Sequence, residues 1–107
     1  MSPMYKVTVL YGPPDSTEDF DRYYDQTHIP IAQQMRGLKR WTVCRFDPAP
    51  DGTPPRYHYQ AELYTDSRAD LELVLNSKAG IAANQDLENF ATGGAVFLFG
   101  EEREVPV

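Results

Sequence analysis

The chain has 107 residues and a mass of 12.2 kDa, enough for one domain, residues 1–107, with an adequate but small core. An apolar share of 41% with 24% charged residues excludes a disordered chain, and no apolar run approaches the roughly 18 residues of a membrane-spanning helix. A net charge of −6 argues against nucleic acid as a partner, and the lone Cys44 excludes an internal disulfide or a cysteine-built zinc site.

The start, Met1-Ser2-Pro3-Met4-Tyr5-Lys6, lacks the apolar stretch of a secretory signal, so a cytoplasmic location and no membrane partner are expected. Met4 to Tyr11 reads as a strand, with Tyr5, Val7, Val9 and Tyr11 on one face. Gly12-Pro13-Pro14 stops it. Ser16, three residues before Asp19, starts a helix on which Phe20, Tyr24 and His28 follow at a spacing of four. Pro30 is expected to break the helix at Ile29, with a further helical turn to about Arg36 and Gly37 as its cap.

Leu38 to Phe46 is the second strand, with Trp41 and Val43 on one face and Thr42 and Cys44 on the other. The proline-rich stretch from Asp47 to Arg56 is a loop that reads as a tether. Tyr57 to Thr65 is the third strand, with Tyr57, Tyr59, Ala61 and Leu63 opposite His58, Gln60, Glu62 and Tyr64. Ser67 starts a second helix, kinked between Ser77 and Gly80 and running to about Phe90, with Ala83, Leu87 and Phe90 buried. Thr92-Gly93-Gly94 ends it, Ala95 to Phe99 is the fourth strand, and Glu101 to Val107 is an exposed tail.

The order β-α-β-β-α-β is α+β and ferredoxin-like: a four-stranded antiparallel sheet with helices on one face. If the other face carries aromatic residues, a second copy of the same sheet is the simplest cover. The fold is shared with RNA-recognition domains. The third strand, however, has no Lys or Arg after Arg56 and lacks their Lys/Arg-Gly-aromatic pattern.

Tyr23-Tyr24-Asp25-Gln26-Thr27-His28-Ile29-Pro30-Ile31-Ala32 resembles the signature of the EthD family. The Lys-Val-Thr-Val-Leu-Tyr strand before it, Ala61 to Ser67, the kinked second helix, and Asn89-Phe90-Ala91-Thr92-Gly93-Gly94 resemble the rest of the family pattern, over nearly the whole chain. The resemblance implies a homodimeric α+β barrel with two sheets facing across the dimer axis. Similar barrels include cofactor-free monooxygenases, isomerases and polyketide cyclases, and also haem enzymes, whose proximal His has no counterpart that can be placed here.

His28 is the candidate general acid or base, because imidazole exchanges protons near neutrality. The negative end of a helix would favour its protonated ring. A packing role beside Pro30 is the alternative. Tyr24, one turn earlier, could orient a carbonyl or phenolate oxygen of a substrate. Tyr11, Trp41, Tyr59, Phe97 and Phe99 are candidate walls of a pocket, or else plain core and interface residues. Glu62 would be a base if shielded in a cavity, and is otherwise a solvated or paired charge. His58 is expected to be exposed, Cys44 buried, and Asn89 bonded to backbone near Gly93-Gly94.

No spacing suggests a metal site, and neither a glycine-rich phosphate loop nor a dinucleotide fingerprint is present, so no metal and no cofactor are expected. Two functions fit. One is a cofactor-independent dimeric enzyme (monooxygenase, isomerase or cyclase) acting on a small hydrophobic, oxygen-bearing metabolite. The other is a non-catalytic protein that binds a small aromatic ligand for an oxidative degradation pathway.

Overall fold

The computed structural model describes residues 3–107; Met1 and Ser2, the first residues of the N-terminal stretch read above, lie outside it. β1 (Met4–Tyr11) pairs with β3 (Tyr59–Thr65) on one side and β4 (Ala95–Glu102) on the other. β2 (Arg40–Arg45) adds to the outer edge of β3, every pairing is antiparallel, and the strand order is β2-β3-β1-β4. This is the ferredoxin-like arrangement expected from the element order.

Strand alternation divides the sheet. Val7, Val9 and Tyr11 of β1 and Tyr59, Ala61 and Leu63 of β3 are buried beneath the helical layer. That layer comprises α1 (Thr17–Tyr23), a π-helical turn (Tyr24–His28), α2 (Ile29–Ala32), α3 (Arg68–Leu75), α4 (Lys78–Gln85) and a 3₁₀ turn (Asp86–Asn89). Ser16 and Ser67 cap α1 and α3 as the sequence suggested, accepting the backbone N–H of Asp19 at 3.2 Å and of Asp70 at 3.1 Å.

Pro30 does not break the first helix. The ladder widens ahead of it, with the Ile29 N–H reaching the Tyr24 carbonyl, and Ile29 keeps right-handed helical geometry. Pro30 has no N–H for the Gln26 carbonyl and its ring crowds that oxygen in a regular helix; a π-helical turn at this point relieves both problems. The helix ends at Ala32 with Gln33 as its cap, earlier than expected, and Gly37, at φ +101°, serves the later turn into β2 instead.

The kink in the second helix is a complete break. Ser77 takes extended geometry and its hydroxyl oxygen accepts the Gly80 N–H at 3.1 Å while donating to the Val74 carbonyl at 2.6 Å. A Cβ on Gly80 would stand 2.3 Å from that same carbonyl oxygen, so only glycine lets α4 start this close to the end of α3. A similar approach joins the β1–α1 turn to the turn before β4, where a Cβ on Gly93 would meet the Pro13 carbonyl at 2.2 Å.

The outer sheet face differs from expectation. It carries one aromatic, Tyr64, because the remaining strand aromatics fall on the helix side. A polar network lies across it. Lys6 bridges Glu62 and Glu102, the Thr8 hydroxyl donates to Glu62 at 3.0 Å, and the Tyr64 hydroxyl donates to Glu102 at 3.1 Å. Glu101 and Glu102 therefore belong to β4 and not to a free tail. Cys44 also lies on this face and is exposed, not buried. His58 is mostly buried, because its Nε2 meets the Asp21 carboxylate of α1 at 2.7 Å.

Candidate functional site

The four-residue spacing of Phe20, Tyr24 and His28 brings all three into the core. Phe20 and Tyr24 stack with ring centroids 6.0 Å apart, and Tyr24 and His28 follow at 5.1 Å. Phe90, just past the 3₁₀ turn, packs against His28 at 4.7 Å. The imidazole thus packs against two aromatic rings.

Beside the imidazole lies one buried carboxylate. Asp86 is only 6% exposed, and its Oδ2 stands 2.9 Å from His28 Nδ1. Its Oδ1 accepts the Tyr23 hydroxyl at 2.7 Å and the Asn89 side-chain amide at 2.9 Å. Burial alone would push this carboxyl up, but the donors Tyr23, Asn89 and His28 outweigh it and hold Asp86 below the usual carboxylate range. Burial pushes His28 down from its ordinary value of 6.5, partly opposed by the hydrogen bond and charge of Asp86. The pair at neutral pH is a carboxylate and a neutral imidazole. Asp86 accepts, so Nδ1 carries the proton and Nε2 holds the free lone pair.

That geometry corrects the helix-end argument for a protonated ring. His28 lies inside a continuing helix, and burial keeps it neutral.

Between sheet and helices a cavity of about 60 Å³ opens to solvent. Five of the eight sequence candidates line it: Tyr11, Tyr24, His28, Trp41 and Phe97. It exists because α4 presents Gly80 and Ala83 where larger side chains would fill the space. The volume is several times the roughly 10–15 Å³ one water requires, and well below the roughly 300–1,000 Å³ of clefts for drug-sized ligands.

The other three candidates lie elsewhere. Tyr59 packs behind Tyr24 at 4.7 Å, and burial with the charges of Asp25 and Asp21 pushes its phenol up to about 12. Glu62 does not face the cavity. It alternates with Ala61 and Leu63, which do, and points to the outer face, where it is the paired charge of the Lys6 network. Phe99, in the next inward position after Phe97, stays 45% exposed, because the helices leave edge strand β4 uncovered.

Two features escape the sequence reading. Asp86 left a signal: it lies on the stripe formed by Ala83, Leu87 and Phe90, and an acid on an apolar stripe is a buried carboxylate in need of donors. Asn89 is one of those donors, rather than a ligand of backbone near Gly93-Gly94. Trp41 reads as a wall, yet its Nε1–H is the only buried side-chain nitrogen or oxygen without a hydrogen-bond partner among the described residues. An unmet buried donor costs about 1–3 kcal/mol. Among those residues no group of three or more His, Cys, Asp or Glu side chains comes together, and no helix is long and apolar enough to cross a membrane.

The profile of the EthD domain matches residues 13–94. An uncharacterized 11.0 kDa protein of the thcB-thcC intergenic region of Rhodococcus erythropolis is 37% identical over 102 residues, spanning 95% of this chain and 98% of that one. The crystal structure of an EthD family protein from Bacillus halodurans is similar at a TM-score of 0.86 and 29% identity, over 94% of this chain and 99% of that one. SnoaB, a cofactor-independent oxygenase from Streptomyces nogalater, shares the fold at a TM-score of 0.65 and 12% identity, over 98% and 97% of the two chains.

A depressed His28 makes the unfolded chain the stronger proton binder below its ordinary value of 6.5. Stability is therefore full above about pH 6.5 and falls as pH drops through the folded-state value, with Asp86 adding a further loss in the acid range where its unfolded carboxyl takes up a proton. Urea midpoints measured from pH 8 to 4 should show this slope in the wild type. His28→Gln should remove its upper segment, and an unchanged slope in that variant would contradict the assignment.

Proposed function

The chain belongs to the EthD family, and on that premise we propose that it is a cofactor-independent acid–base catalyst. Its substrate is a small, largely apolar, oxygen-bearing metabolite held between the sheet and the helices. The observation that carries this reading is the buried His28–Asp86 pair bordering an apolar cavity. Asp86 fixes the tautomer, so Nε2 is left to accept a proton from the substrate, and the carboxylate then stabilises the imidazolium that forms. Nothing else is needed for an isomerase or cyclase, in which the same nitrogen returns the proton to another atom. A monooxygenase would in addition require the substrate anion to react with dioxygen. The fold shared with SnoaB is compatible with that route.

Tyr24 and Tyr11 supply polar tips on the wall. Burial raises both phenols, so they stay protonated and act as hydrogen-bond donors to substrate oxygen throughout the neutral range. Ala83 sets the room available.

The reading includes a homodimer through the outer sheet face. The radius of gyration is 14.6 Å against the ~13 Å expected of a compact chain of this size, since sheet and helices form only two layers. Val96 and Leu98, 42% and 52% exposed, project from that face beside Leu10. Sedimentation at micromolar concentration should return twice the 12.2 kDa chain mass, and a monomer under those conditions would remove the shared barrel.

Catalysis is tested by deuterium uptake from heavy water into single-ring enolisable ketones such as cyclohexanone, followed by proton NMR. The wild type should exceed buffer. His28→Gln should lose about 10²–10⁴-fold. Ala83→Leu, which narrows the cavity while keeping both His28 and Asp86, should also lose exchange while remaining folded. Ligand binding with no exchange above buffer would instead favour the non-catalytic holding role.

A further inference from the structure

Trp41 sits on β2 opposite Leu63, with its ring turned toward the helices and bordering the same cavity as Tyr24 and His28. Its Nε1–H is buried and unpartnered, although buried indole donors ordinarily find an acceptor. The only other polar residue lining the cavity, besides the two tyrosines and the histidine, is Asn84. The indole N–H acts toward the Tyr24 hydroxyl as a long-range hydrogen-bond donor, countering part of the rise that burial imposes on that phenol, but it does not come within hydrogen-bond distance and so stays without a partner. Two donors, the indole N–H and a phenol that keeps its proton, therefore sit together beside a neutral base.

No carboxylate lines this wall; Asp86 stands behind the imidazole with its oxygens engaged by Tyr23, Asn89 and His28. A cation would find no partner here, whereas an oxygen anion would find donors in a mostly apolar, low-dielectric pocket where such bonds are strongest.

We propose that Trp41 Nε1–H and Tyr24 O–H form a two-donor site for the oxygen anion of the substrate, which selects planar enolates and phenolates of about one ring. The inference deepens the acid–base reading and rests on it. His28 Nε2 takes the proton from the hydroxyl or the adjacent carbon, and the electron pair left behind settles on the oxygen held by Trp41 and Tyr24. Atoms and charge balance as imidazolium plus enolate or phenolate. The apolar walls of Val9, Leu63 and Phe97 accept the flat carbon skeleton.

The test uses 4-nitrophenol, whose phenolate is yellow and whose phenol is not, with 4-nitroanisole as the analogue that cannot ionise. The intact protein is titrated with each near neutral pH. The wild type should bind 4-nitrophenol and raise its yellow fraction. Trp41→Phe keeps a ring in place and removes the N–H; it should weaken phenolate binding about tenfold or more, the range for a hydrogen bond to a charged group, and leave 4-nitroanisole within about twofold. Tyr24→Phe should show the same selectivity, which guards against a folding defect in one variant.

Equal losses for both ligands, or no loss in Trp41→Phe, would overturn the two-donor site. So would failure of the wild type to bind 4-nitrophenol at all. His28→Gln separates the two levels of the argument. If it leaves the yellow fraction unchanged while Trp41→Phe still lowers it, the acid–base reading falls and the anion site stands.

Discussion

A carboxylate placed among aromatic rings must either take up a proton or be met by donors on every side, because water is not there to solvate it. Asp86 is met by a phenol, an amide and an imidazole drawn from two separate parts of the chain. That requirement ties the helix carrying Tyr23 and His28 to the 3₁₀ turn carrying Asp86 and Asn89. It also sets the proton on Nδ1 of His28, and hence the lone pair on Nε2. The chemical polarity of the cavity follows from a single buried charge behind its wall.

The backbone around the pair is arranged to suit. A regular helix through Pro30 would leave the Gln26 carbonyl without a donor and in contact with the ring. The π-helical turn absorbs that conflict within Tyr24–His28, the segment whose first and last side chains, Tyr24 and His28, face the core and the cavity. Such turns recur at functional positions because they re-aim side chains without ending the helix. On the opposite helix Gly80 and Ala83 leave the space that the pair faces. The break at Ser77 is what allows α4 to start hard against the end of α3, with Gly80 at the point of closest approach.

Much of this was legible. Strand alternation in Met4–Tyr11 and Tyr59–Thr65, the serine caps and the element order all act locally, so periodicity reports them. The same patterns put Phe20, Tyr24 and His28 on one helical stripe and gave Tyr11 and Trp41 each a strand face, but they left open what His28 faces. The consequence of Pro30 did not follow, because the choice between ending a helix and widening it depends on what the core gains from keeping the helix intact. Asp86 and His28 are joined across 58 residues, and no local spacing encodes such a contact. The pairing of His58 with Asp21 and the exposure of Cys44 depend on tertiary neighbours in the same way. Glu62 was ambiguous only in its destination: alternation put it opposite Ala61 and Leu63, and the structure places the cavity on their side of the sheet.

The central claim is that Asp86 holds His28 as a neutral imidazole protonated at Nδ1, with Nε2 left as the base. Long-range proton–nitrogen correlation spectra of the histidine rings, recorded through a pH titration, read this directly. The account predicts a His28 with a protonated Nδ1 and an unprotonated Nε2 at pH 7, titrating below 6.5, and falling lower still in Asp86→Asn because the opposing carboxylate charge is gone. A His28 protonated on Nε2 at neutral pH, or one titrating above 6.5, would contradict it.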